Sequence, residues 1–171
     1  MPLLSDYARS KKIALLLEQI RPGDSVLEIG AGDGWLGPLL AKNDIRGYRS
    51  IDLQGPADYI GDIRQWESLG IPEASFDFIV ALEVIEHVPC LEEIYSLLKP
   101  GGRFFATSPV PHWDWLCALL ERLGLSQRRT SPHSHLVYFD RIPFFKPILL
   151  KRFGLLSQWG LFLKPLRDEK R

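Results

Sequence analysis

Val26-Leu27-Glu28-Ile29-Gly30-Ala31-Gly32-Asp33-Gly34 joins an apolar, β-favouring run to a glycine-rich turn. A helix-like segment follows from 35 to 42. Three glycines within five residues carry no Cβ, so the backbone there can approach a ligand closely. The turn falls at the carboxyl end of an expected parallel strand, which is where open α/β sheets bind ligands.

Outward from this stretch, strands and helices alternate over short connections. Residues 5–20 place Ile13, Leu16, Leu17 and Ile20 on one helical face, and Arg21-Pro22-Gly23-Asp24 stops that helix. Strands are expected at 25–30, 46–53, 58–61, 75–82 and 103–108, with a helix at 89–98 and a turn at Lys99-Pro100-Gly101-Gly102. The first strand is almost wholly apolar, as one covered on both faces should be. This alternation predicts a parallel sheet with helices on both faces. After Ser108 the regularity loosens. A helix is expected at 113–123, a polar and basic loop at 124–135, and a helix over 141–153 capped by Asp140. A last strand at 154–163 and a charged tail at 165–171 close the chain.

At 171 residues the chain has the length of one domain, read as 1–171, with 109–139 as an insertion for acceptor recognition. Lys plus Arg number 21 and Asp plus Glu number 21, so no global basic field points to nucleic acid. Cys90 and Cys117 form no C-x-x-C pair and read as reduced thiols of a cytoplasmic protein. No signal peptide and no run of roughly 20 apolar residues stands out, so no membrane span is expected.

Two nucleotide signatures fail at the glycine turn. A dinucleotide fingerprint needs a third glycine where Trp35 stands. A P-loop needs a Gly-Lys-Ser/Thr that does not follow. The chain instead resembles the class I S-adenosylmethionine-dependent methyltransferases, in particular small domains of the type 11/12 kind. Four blocks carry the resemblance in order: Val26–Gly34; Asp52, 22 residues after Gly30; Gly61-Asp62-Ile63; and Phe76-Asp77-Phe78-Ile79-Val80 leading to Glu83-Val84-Ile85-Glu86-His87-Val88 and Leu98-Lys99-Pro100-Gly101-Gly102-Arg103. They cover about residues 20–108.

The resemblance implies a Rossmann-like doubly wound α/β sheet, its central strands parallel in the order 3-2-1-4-5. It adds two further strands. This sequence leaves room for six strands in all, or for a very short seventh. The implied cofactor is S-adenosyl-L-methionine, and the implied binding set is Glu28, Gly30, Ala31, Gly32, Gly34, Asp52, Leu53, Asp62, Ile63, Leu82 and Glu83. Asp52 is chemically suited to a ribose diol, since a carboxylate accepts two hydrogen bonds. Glu28 orients the loop or the methionine moiety, or is purely structural. Asp62 is placed for the adenine amino group and Ile63 for the ring face. Leu53 covers the other face or packs into the core. Leu82 and Glu83 end the fourth strand beside the sulfonium.

The reaction implied is methyl transfer to an oxygen or carbon of a small-molecule or lipid-like acceptor, with nucleic acid ranked second. Positioning alone supplies about 7–11 kcal/mol to such a transfer, so no triad is required. Glu83 and His87 are the catalytic candidates. No metal is assigned, but one alternative has Glu83, Glu86, His87 and one of His112, His133 or His135 holding Mg²⁺, Mn²⁺ or Zn²⁺. Ubiquinone-pathway O-methyltransferases and small-RNA 3′-end 2′-O-methyltransferases carry a similar E-x-x-E-H cluster. A further alternative is a non-catalytic adaptor that keeps the fold. Trp113, Trp115, Leu116, Leu119 and Leu120 read as core packing or as a wall for an apolar acceptor. Arg128-Arg129 read as a solvated loop or an anion site.

Overall fold

The structure is a computed structural model that describes residues 3–122, 133 and 135–166, apart from the side chains of 3–9 and 121. Among the described residues there are four α-helices: α1 (Leu3–Gln19), α2 (Leu36–Lys42), α3 (Leu91–Leu97) and α4 (Asp114–Arg122). Seven strands form one sheet: β1 (Ser25–Ile29), β2 (Gly47–Asp52), β3 (Tyr59–Ile60), β4 (Phe76–Leu82), β5 (Leu98–Pro109), β6 (Lys146–Phe153) and β7 (Ser157–Leu163). Their order is β3-β2-β1-β4-β5-β7-β6. Strands β1 to β5 are parallel, and β7 runs antiparallel to both β5 and β6. This is the Rossmann-like α/β arrangement, with the central 3-2-1-4-5 order that the resemblance implies.

Three expectations are corrected. The stretch expected to be a helix over 141–153 is a short 3-10 turn at Phe139–Arg141 followed by β6. The seventh strand is therefore not short: β6 has 8 residues and β7 has 7. Tertiary pairing overrides local preference here, because β7 offers an open edge and β6 fills it. Pro147 lies in β6, which is an edge strand, where a residue without an N–H is tolerated. The turn expected at Lys99–Gly102 lies inside β5, as an irregularity between the Phe76–Leu98 and Phe78–Arg103 pairs.

The sheet is buried on both faces. Leu16 of α1, Ile20 just after it, and Leu36 and Leu40 of α2 cover one, against Val26, Phe78, Val80 and Phe105. On the other, Ile94 and Leu97 of α3 join Phe139, Phe145 and Phe162 against Ile79, Phe104 and Ala106. Polar stitches hold the strands' amino ends. Asp77 accepts from the Ser25 N–H at 2.9 Å, the Ser25 hydroxyl at 2.6 Å and Lys99 Nζ at 2.7 Å. Desolvation pushes the Asp77 carboxyl up, but Lys99 and Ser25 outweigh it and hold it at about 2. With that end tied down, the carboxyl ends of β1, β2, β4 and β5 are left to carry the loops of the site.

Candidate cofactor site

The glycine turn takes the conformation its sequence demands. Gly30, Gly32 and Gly34 have φ of +76°, +53° and +69°, values that L side chains rarely adopt. A Cβ on Gly30 would stand 2.5 Å from Val84 Cγ2, so β1 and the loop after β4 meet there without room for a methyl group. Below the turn, Glu28 is buried and accepts a hydrogen bond from the Tyr48 hydroxyl. Burial pushes its carboxyl up to about 7; Tyr48 opposes this and the nearby Asp52 charge adds to it. Glu28 is thus tied to Tyr48 of the neighbouring strand, two residues before the turn.

A cavity of about 400 Å³ opens at the carboxyl ends of the strands. That size falls in the range of small-molecule sites. Gly30, Asp52, Leu53, Asp62, Ile63 and Glu83 of the implied binding set line it, together with His87. Glu28, Ala31, Gly32, Gly34 and Leu82 lie outside that lining. Asp52 accepts from the Gly32 N–H at 2.8 Å and the Gln54 N–H at 3.2 Å. It therefore braces the glycine turn and still has lone pairs to offer a diol. Leu53 is 71 % exposed, which settles it as a cavity wall and not as core, whereas Ile63 both lines the cavity and is buried in the core.

Asp62 is less free than the sequence suggests. It caps the 3-10 turn Ile63–Gln65, accepting from the Arg64 N–H at 2.9 Å, and both its oxygens take the Arg64 guanidinium. That pairing holds its carboxyl below the usual range against a small upward push from burial. Any adenine amino group must share the carboxylate with Arg64, which itself lines the cavity.

Across the cavity, Glu83 stands at φ +56°. Its N–H donates to the Thr107 carbonyl at 2.9 Å, and its Oε1 accepts from the Thr107 hydroxyl at 2.8 Å and Lys12 Nζ at 2.9 Å. Burial pushes its carboxyl up, but the Lys12 charge and these hydrogen bonds outweigh that and hold it below the usual range. Glu86 is fully buried, and neither of its oxygens has a hydrogen-bond partner among the described residues. Burial, then the Glu83 charge, raises its pKa and favours the neutral acid.

The histidines separate into three roles. His87 and His133 face each other with ring centroids 4.9 Å apart, and one donor atom from each lies within 4.8 Å of one from Glu86. Asp114, from the start of α4, orients His133 through a 2.5 Å contact to Nδ1. His135 lines the cavity, and its N–H donates to the Glu86 carbonyl at 2.9 Å. His112 Nδ1 lies 3.1 Å from the Tyr138 hydroxyl, outside the cluster. Glu83 is also outside it, because Lys12 and Thr107 hold it. Arg128 and Arg129 lie outside the described residues.

The methyltransferase-domain family matches residues 5–152, most of the chain. The chain belongs to that family. Its cofactor is S-adenosylmethionine, and the glycine turn, Asp52 and the cavity fit that molecule. Two curated relatives are similar to this methyltransferase domain over part of their length. Sterol 24-C-methyltransferase from Pneumocystis carinii is 33% identical over 152 residues, which is 77% of this chain and 37% of that protein. Ubiquinone biosynthesis O-methyltransferase from Xylella fastidiosa is 30% identical over 125 residues, 63% of this chain and 48% of that protein. The alignments thus span less than half of these relatives. Among solved structures, a Pyrococcus horikoshii OT3 protein superposes with a TM-score of 0.64 at 17% identity, covering 92% of this chain and 90% of its own. A SAM-dependent methyltransferase from Aquifex aeolicus gives 0.57 at 17% identity, covering 90% and 89%. At that identity these two speak for the fold.

Four residues of the methyltransferase domain's site carry no motif in the sequence. Tyr48 and Glu28 share a face once β1 and β2 are set in parallel register, since Val26 pairs with Tyr48 and Glu28 with Ser50. Arg64 follows Asp62 by two residues and needs only the 3-10 turn to return to it. Lys12 and Asp114 reach their partners over 71 and 19 residues, and no local pattern announces either.

Proposed function

We propose that this domain transfers the methyl group of S-adenosylmethionine to an oxygen or carbon nucleophile of a small-molecule or lipid-like acceptor. The supporting observation is the cavity, which joins the Asp52 side, where a nucleoside is held, to Glu83 and His87. When bound, the cofactor supplies an electrophilic methyl group on sulfur. Gly30 and its turn bring backbone close to the ligand, Asp52 takes the ribose diol, and Leu53 and Ile63 sandwich the adenine. Glu83, kept anionic by Lys12 and Thr107, faces the sulfonium end and favours its positive charge. His87 stands at the same end, where it is placed to take a proton from an acceptor hydroxyl. Residues 109–139 supply the acceptor's surroundings, and 1–171 is read as one domain, acting in the cytoplasm. The names of the sterol and ubiquinone relatives favour an acceptor of this class.

The test is incubation with extracts and S-adenosylmethionine labelled in the methyl group, followed by partition into organic, aqueous and macromolecular fractions. Label in the organic or small-solute fraction is expected; label confined to RNA would overturn the proposal. Absence of any S-adenosylhomocysteine binding by calorimetry would instead favour a non-catalytic adaptor.

A second reading is supported by the convergence of Glu86, His87 and His133. If these hold a divalent cation, activity falls with EDTA and returns with Mn²⁺ or Mg²⁺, and Glu86→Gln abolishes the rescue. Activity indifferent to chelation retires metal-assisted transfer, including that to an RNA end.

A further inference from the structure

Zero net charge conceals an uneven distribution. From Arg122 to Leu166 the sequence holds eight Lys and Arg and a single acidic residue, Asp140. Within this region the β6–β7 hairpin turns through Lys151-Arg152-Phe153-Gly154-Leu155-Leu156, with Lys151 and Arg152 exposed. Leu155, at the tip, is 62% exposed. The tip lies at the carboxyl end of β5: Ser157 pairs with Pro109, and the Val110 N–H donates to the Leu156 carbonyl at 2.9 Å. That is the end of the sheet at which the cavity opens. From Val110 the chain passes through the 3-10 turn Pro111–Trp113 directly into α4. There Trp115 and Leu119, one turn apart, are 61% and 43% exposed, and Arg122 is exposed at the helix end. No described side chain of α4 is buried.

We propose that this end of the molecule docks on an anionic phospholipid surface. Trp115, Leu119 and Leu155 enter the headgroup region, while Arg122, Lys151 and Arg152 meet lipid phosphates. Tryptophan suits a boundary that is apolar on one side and wet on the other. Basic side chains are drawn to anionic headgroups, and apolar side chains on a peripheral helix supply the remaining attraction. Of the acids at this end, Asp114 is held by His133 and Glu83 by Lys12. A nucleic acid would use the cations but would leave Leu119 and Leu155 in water. The contact proposed is peripheral; no helix among the described residues is long and apolar enough to cross a membrane. It would set the cavity mouth beside a reservoir of lipid-like molecules.

The inference extends the lipid-acceptor reading, and it is measured without methyl transfer, so either can fail alone. Whole protein is sedimented with vesicles of phosphatidylcholine, and with vesicles of phosphatidylcholine and phosphatidylglycerol in equal parts. Binding to the mixed vesicles, weakened by salt, is expected. Trp115→Glu with Leu155→Glu should weaken it by about tenfold or more, and Lys151→Glu with Arg152→Glu should remove the preference for anionic lipid. Thermal melts and S-adenosylhomocysteine binding check that each variant is folded. Wild-type protein that stays in the supernatant with both vesicles overturns the proposal. So does vesicle binding that the folded variants retain, or RNA binding that survives Trp115→Glu with Leu155→Glu in the absence of vesicle binding.

Discussion

Glu28 has one hydrogen-bond donor, the Tyr48 hydroxyl, and a carboxyl held at about 7 against an ordinary 4.5. Between those two values the folded chain binds more protons at this position than the unfolded chain does. The stability it contributes is complete below pH 4.5 and is lost as pH rises through about 7. At 1.36 kcal/mol per unit the effect is on the order of 3 kcal/mol. Melting temperature should therefore fall across that window, and Glu28→Gln should remove this part of the fall. A slope unchanged in the variant would place the titration on another group. Asp52 is a second residue whose worth can be read directly. Asp52→Ala should weaken S-adenosylhomocysteine binding by about 1.5–3 kcal/mol in calorimetry, because it removes a charge-assisted acceptor and also frees the Gly32 N–H. The turn at Gly30, Gly32 and Gly34 and the place of Asp52 were legible in the sequence because each is imposed locally, by a backbone angle or a strand end. Lys12 was legible only as a basic residue, since its partner Glu83 arrives from the loop after β4.

Among the elements, β6 is the instructive case. Its residues, Lys146-Pro147-Ile148-Leu149-Leu150-Lys151-Arg152-Phe153, include Leu, Lys and Arg, which favour helices, and the apolar run has no clean period of two. Only Leu149 and Phe153 pack against a core cluster, so the strand shows little of the alternation by which strands are recognised. What makes it a strand is the edge of β7, which the sequence of β6 itself does not mention. The same hairpin has a tight point at Gly160. A Cβ there would stand 2.4 Å from the Phe162 ring and 2.7 Å from the Phe139 ring. Gly160→Ala should cost about 1–3 kcal/mol in denaturant unfolding, as overpacked sites do. A smaller loss would mean that Phe139, in its 3-10 turn, yields easily. The five parallel strands, by contrast, were readable from apolar runs punctuated by Gly, Pro and Asp.

Across the whole molecule, the site is assembled from pieces far apart in the chain. Lys12 on α1, Glu83 after β4, Thr107 on β5 and His133 beyond α4 converge on one end of the sheet, and the paired Asp114 fixes where the last of these points. Order of synthesis gives that convergence a timetable. Strand β5 ends at Pro109, and its partner β7 begins at Ser157, so translation at about 5–20 residues per second leaves the outer edge of β5 unpaired for several seconds. During that interval β6 leaves the ribosome before β7 does. It is the first strand able to lie against β5, although its finished place is one position further out. The strand order thus leaves the outer edge of β5 open to β6 until β7 follows, and only β7 gives β6 the partner it has in the finished sheet.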